Sequence, residues 1–120
     1  MSGPFAFAAM SSLADRLAAG ASIHGVNLVS SEPDSPHLKA HKIKGEMYFG
    51  CAETDDYAPV EMIHDLERHL NKCDINWNLE WYPGTEHGFV FPNRLGKYHK
   101  ASAELHWERL LALFERNLKR

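Results

Sequence analysis

Between Ile75 and Tyr82 the chain alternates, with Trp77, Leu79 and Trp81 set against Asn78 and Glu80. Successive side chains of an extended strand point to opposite faces. A period of two with one polar face therefore predicts a half-exposed strand near a sheet edge. The run breaks into Tyr82-Pro83-Gly84-Thr85, a loop by its turn formers, and then into Glu86-His87-Gly88-Phe89. A histidine in that position stands at the carboxyl end of a strand, where open α/β sheets place their ligands.

The rest of the chain supplies partners for such a strand. Ser2 or Gly3 opens a helix with Pro4 in its first turn, and Ala6, Met10, Leu13 and Leu17 recur on one face. Ala18 to Gly25 is a short apolar run with the character of a buried strand. Val26 to Lys42 is rich in turn formers and long enough to border a binding site. Gly45 to Gly50 holds a second strand around Met47-Tyr48-Phe49. Pro59 starts a helix to about Lys72, with Ile63, Leu66 and Leu70 inward. Lys100 to Lys119 is the clearest helix, and Trp107, Leu110, Leu111, Phe114 and Leu118 form its stripe. Alternating elements of this kind predict an α/β fold of about three parallel strands flanked by helices.

Composition narrows the partners. The chain has 120 residues and a formal net charge of −3, with no basic stripe, so nucleic acid is not an expected partner. No apolar run is long enough to span a bilayer, so no membrane partner is expected either. Met1 to Met10 lacks the basic flank of a signal peptide. The two cysteines, Cys51 and Cys73, make no disulfide framework, and a reduced, cytoplasmic location is the expectation.

Asp55 lies 32 positions before His87, in a second strand-to-helix turn, Gly50-Cys51-Ala52-Glu53-Thr54-Asp55-Asp56-Tyr57-Ala58-Pro59. Imidazole titrates near neutrality and can carry a proton between reacting groups. A carboxylate bonded to one ring nitrogen would fix its tautomer and stabilise the imidazolium. An acid and then a histidine, each after a strand, is the back half of a nucleophile–acid–base triad in α/β-hydrolase order. Asp56 is the rival acid, because either aspartate could cap the following helix. Phe89 and Phe91 could line a pocket mouth or anchor the loop in the core. His24 and Asn27, after the first strand, are further pocket candidates. Cys51 is not expected to be a nucleophile: no glycine elbow surrounds it and it stands four residues from the acid. Ser22 lacks an elbow too. His69 with Cys73, and His37 with His41, have the spacing of a zinc-binding pair but no matching third or fourth ligand, so no metal or other cofactor is expected.

Taken together, four stretches resemble the dienelactone hydrolase family of the α/β-hydrolase superfamily. They are Pro33 to Leu38, Tyr48 to Pro59, Leu79 to Phe89, and His106-Trp107-Glu108-Arg109-Leu110. The resemblance implies hydrolysis of a small ester or lactone by acyl transfer, with His87 as base and Asp55 as its orienting acid. In that family the nucleophile, cysteine or serine, sits on a tight turn before an Ala-rich helix. Met1-Ser2-Gly3-Pro4-Phe5-Ala6-Phe7 resembles the start of that helix. The nucleophile is thus expected just before Met1, whose backbone N–H would join the oxyanion hole. Residues 1–120 are then a partial domain matching the carboxyl-terminal half of the family fold. Three readings follow: a hydrolase half supplying acid and base, a catalytically silent fragment or complementing subunit, and a small-molecule-binding module. The missing amino-terminal half, or self-association through an exposed sheet edge, is the expected macromolecular contact.

Overall fold

A computed structural model describes residues 1–118. Helix α1 (Gly3–Ser12) leads into strand β1 (Ala19–Ile23). A 3-10 helix (Pro36–Lys42) precedes strand β2 (Glu46–Thr54) and helix α2 (Val60–Leu70). Strand β3 (Asn76–Glu86) and helix α3 (Lys100–Leu118) complete the order. The last residue of the helix expected over Lys100 to Lys119 lies outside the described residues. No described helix is long and apolar enough to cross a membrane.

The three strands form one parallel sheet in the order β1-β2-β3. β2 is central, and Met47 through Ala52 are all buried. Its side chains alternate between two covered faces, which is why this strand reads as a continuous apolar run. Met47, Phe49 and Cys51 pack with Phe7 and Met10 of α1 and with Ile63, Leu66 and Leu70 of α2. Phe7 and Phe49 meet edge to face with centroids 5.1 Å apart, the arrangement that ring quadrupoles favour. On the opposite face Ala52 joins Tyr82 and Phe89, with Ile23 and Leu105 of α3 against them.

α3 is tied to that second face by polar contacts. The Tyr48 hydroxyl donates to Glu80 at 2.7 Å and lies 2.5 Å from the Tyr82 hydroxyl. Arg109 of α3 donates to both oxygens of Glu80, and Arg116 and Asn117 donate to Glu46.

Several elements depart from the expectations. β2 and β3 both run four residues further than the pattern indicated, ending at Thr54 and Glu86 instead of Gly50 and Tyr82. The cause is a register irregularity between Ala52 and Thr54, which lets the strands stay paired past Pro83. Proline is tolerated there because β3 is an edge strand. Side chains secure the irregular stretch: the Gly84 N–H donates to Glu53, the Glu53 N–H to Thr85 Oγ1, and Thr85 Oγ1 to the Tyr82 carbonyl.

Two helix faces also differ. α1 buries Gly3, Phe7, Met10 and Ser11; it stops at Ser12, so Leu13 is exposed rather than continuing an inner stripe. α3 buries Ser102, Ala103, His106 and Leu113. The expected stripe is largely outside: Trp107, Leu111 and Leu118 are 54%, 66% and 59% exposed, and Phe114 39%.

Candidate active site

The site lies where the carboxyl ends of three parallel neighbours meet. Asp55 follows β2, His87 follows β3 and His24 follows β1. Asp55 opens the turn before α2. Its backbone carbonyl accepts from the Ala58 N–H at 3.2 Å and its Oδ1 from the Tyr57 N–H at 2.9 Å. An aspartate that bonds the backbone two residues on makes a local turn of its own, which holds the carboxylate still. His87 enters a turn closed by Phe89 N–H to the Glu86 carbonyl, and Gly88, at φ +88°, takes the left-handed conformation that turn requires.

Asp55 Oδ2 and His87 Nδ1 are 2.8 Å apart. The carboxylate side chain is 2% exposed and the imidazole 19%. With Asp55 ionised, Nδ1 carries the proton and donates it, leaving Nε2 as the free acceptor. Asp55 rather than Asp56 occupies the position beside His87; Asp56 is exposed. The His87 ring is flanked by His24, centroids 4.6 Å apart, and by Tyr57 at 5.0 Å.

An open cleft of about 990 Å³ lies beside the pair, walled by β1 and α3. Met1, Ile23, His24, His87, Phe91 and Trp107 line it. The expected oxyanion position, Met1, therefore shares a cleft with the base. Phe89 and Phe91 take different places. Phe89 is fully buried against Tyr82 and Ala52 and anchors the loop in the core, so it is not a pocket residue. Phe91 is half exposed at the cleft wall. Asn27 is a correction as well: it is exposed, at φ +51°, and does not line the cleft. Asparagine suits that turn because it tolerates the left-handed region, a backbone role rather than a ligand role. Two residues the sequence reading passed over also belong here. Arg94 lines the cleft and packs over Gly88, and Tyr57 flanks the base.

Two nucleophilic side chains near the site are buried, while Ser2 lines the cleft. Cys51 is buried among the core residues under β2. Burial, with the nearby charges of Glu67 and Asp55, pushes its thiol up to about 12, so it stays protonated and unreactive near neutrality. Ser22 is also buried, its hydroxyl wedged between Gly3 and Gly25. His37 and His69 do approach each other, centroids 4.8 Å apart. Among the described residues, however, no three His, Cys, Asp or Glu side chains are grouped to hold a metal ion.

A parallel sheet with helices on both faces and an acid–histidine pair at its carboxyl rim matches part of an α/β-hydrolase fold. The family model for the dienelactone hydrolase family matches residues 1–118, and the chain belongs to that family. A putative carboxymethylenebutenolidase of Synechocystis sp. is 29% identical over 104 residues, covering 84% of this chain and 42% of that protein. Among solved structures, a putative dienelactone hydrolase from Klebsiella pneumoniae superposes with a TM-score of 0.75 at 20% identity, over 90% of this chain and 47% of the other. A dienelactone hydrolase-like promiscuous phosphotriesterase from metagenomic libraries gives 0.73 at 15% identity, over 89% and 45%. The chain thus spans about half the length of the relatives it matches.

Proposed function

We propose that this chain carries the acid–base half of a hydrolase that cleaves small esters or lactones by acyl transfer. The observation that supports it is the 2.8 Å contact between His87 and Asp55, held on adjacent strand ends beside an open cleft. In this reading Nε2 of His87 takes the proton from a serine or cysteine nucleophile as that atom bonds to the substrate carbonyl. The imidazolium, stabilised by Asp55, returns the proton to the leaving oxygen as the acyl bond breaks. A water, deprotonated by the same nitrogen, then releases the acid. In this reading the nucleophile stands ahead of Met1, where the family resemblance expects it, and Cys51 and Ser22 are both buried in packing.

A second reading draws on the exposed apolar surface. β1 pairs only with β2 among the described residues, and Trp107, Leu111 and Leu118 stand exposed on the helix beside it. On this reading the chain is silent alone and acts when an amino-terminal half covers that surface.

Both readings meet one test. Hydrolysis of a small aryl ester is measured for the chain alone and for a fusion that places the nucleophile-bearing half of a family member ahead of Met1. The chain alone is expected to show no turnover that His87→Ala removes. The fusion is expected to turn over, and to lose about 10⁴-fold in kcat with Asp55→Asn, as in other triads where the histidine's partner is neutralised. A fusion whose turnover survives both His87→Ala and Asp55→Asn would end the hydrolase assignment.

A further inference from the structure

The Asp55 carboxylate is better protected than its place in the chain suggests. Thr54, Asp56 and Tyr57 beside it are all exposed, yet its own side chain is 2% exposed. The His87 imidazole stands against it, and two further rings stand against the imidazole. One is His24, which leaves β1 at φ +40° and lies buried with its centroid 4.6 Å from that of His87. Burial, and then the charge of His87, hold the His24 ring down at about 4, so at pH 7 it is a neutral wall. The other is Tyr57, its centroid 5.0 Å from that of His87 and its plane tilted by 59°.

Tyr57 is a different kind of neighbour. It is 68% exposed, so burial gives little reason for a large ring at this turn. The same residue reaches the other half of the pair: its backbone N–H donates to Asp55 Oδ1 at 2.9 Å, while Oδ2 faces His87. Tyr57 thus meets the acid through its backbone and the base through its ring. It also lines a second hollow of about 150 Å³, with Thr54, Asp56, Glu86, His87 and Arg94. His87 borders this hollow as well as the large cleft, to which Tyr57 does not contribute. The pair therefore has a second side from which water can compete for its hydrogen bond, and such a bond is strongest where water is kept off it. We propose that Tyr57 is a positioning residue for the base: its ring braces the His87 imidazole and covers the Nδ1–Asp55 bond on the side of the smaller hollow, while its N–H holds the second carboxylate oxygen. It touches no reacting atom. The inference rests on the proposed function only for what the braced imidazole then does.

The test uses the whole chain and the proton shared by the two residues. A proton between an imidazole nitrogen and a carboxylate resonates far downfield of the amides, and its exchange with water reads how well the bond is covered. His87→Ala assigns the resonance by removing it. The wild type is expected to show it at pH 7. Tyr57→Ala should speed its exchange about twofold to tenfold, the range that an aromatic contact ordinarily contributes, and Tyr57→Phe should stay near the wild-type rate. Both variants keep the backbone N–H to Asp55, so the difference reports the ring alone. The amide of Phe49, fully buried in the core, should exchange at one rate in all three chains. Unchanged exchange in Tyr57→Ala, equal acceleration in Tyr57→Phe, or a Phe49 amide that speeds up with the ring proton would each overturn the proposal. So would a wild type without the resonance, since an uncovered proton exchanges too fast to be seen. Absence of ester turnover in the fusion would remove the hydrolase assignment and leave this result standing; a failed exchange test would leave the hydrolase assignment untouched.

Discussion

The sheet has two edges, and they are finished differently. β3 is long, interrupted by Pro83, bent at a register irregularity and flanked by Glu53, Glu80 and Arg109. These are the devices by which natural edges discourage a further strand. β1 has only the five residues Ala19-Gly20-Ala21-Ser22-Ile23, all uncharged, and exposed apolar side chains of α3 beside it. Ladder bonds at the Ala18 carbonyl and the His24 N–H, with a period of two between them, turn the N–H groups of Ala19, Ala21 and Ile23 outward. One edge is closed by chemistry, and the other is left open among the described residues. In the proposed reading its neighbour is the strand carrying the nucleophile, which would complete the cleft as it pairs.

The largest test asks whether the two edges belong to one cooperative unit. Both hang on β2, whose Phe49 is fully buried against Phe7. Phe49→Ala is expected to cost about 3–5 kcal/mol in urea unfolding, through lost transfer energy and an unfilled cavity. Amide exchange should accelerate in β1 and β3 together. If β3 amides keep their protection while those of β1 lose it, the edges are separate units and the comparison is between two modules.

Next in size is association. The wild-type chain is expected to associate with rising concentration in sedimentation velocity, through β1. Ala21→Pro removes an outward N–H without touching a ladder bond, so it should abolish association and keep the far-ultraviolet spectrum. Pro83→Ala returns an N–H to β3 and should increase association. An Ala21→Pro chain that still associates would move the contact from the β1 edge to the exposed face of α3.

That contrast was only partly legible in the sequence. The alternation of Trp77, Leu79 and Trp81 marks β3 as an edge strand because one face meets water, and a half-wet strand writes its period directly into its residues. The order of elements and the two turns carrying Asp55 and His87 were legible for the same reason: periodicity and turn formers are local. The unfinished edge is not local. Ala19 to Ile23 reads only as a buried strand, since nothing in an apolar run says which neighbour buries it. The stripe on α3 misled for a related reason: apolar spacing of 3.6 marks a face without saying what covers it. Nor can spacing reveal that Phe89 turns into the core while Phe91 turns to the cleft, or that His24 takes a positive φ. Those depend on where the β3 irregularity places the following loop.

At the rim, pH should sharpen the difference between β1 and its neighbours. His24 is held at about 4 against 6.5 for an ordinary histidine, so between those values the unfolded chain binds more protons than the folded one. Stability should therefore fall as pH drops through 6.5, keep falling to about 4, and level off from this source below that. Glu46 and Glu80 lose stabilisation lower: burial pushes Glu80 up, but bonds from Arg109 and Tyr48 outweigh it and hold it ionised, and Arg116 does the same for Glu46. His24→Phe should flatten the upper part of the slope in denaturation curves taken from pH 7.5 to 3.5, leaving the share of His37, whose ring is held down by burial and by His69. An unchanged slope would assign it to another histidine.

The smallest expected effect separates two explanations of the closed edge. Arg109 donates to both oxygens of Glu80 from α3, but its side chain is 44% exposed, so solvent screens the pair. Exposed pairs contribute roughly 0–1 kcal/mol even with two-point geometry, and less in high salt. Arg109→Ala should accordingly lower stability by about 0.5 kcal/mol in low salt and by less in 0.5 M salt. Glu80 keeps its bond from Tyr48 in that variant and remains charged. If Pro83 and the irregular register close the β3 edge, Arg109→Ala leaves sedimentation unchanged. If association rises instead, the ion pair is the guard, and β3 is shielded by side-chain charge where the backbone alone would have admitted a partner.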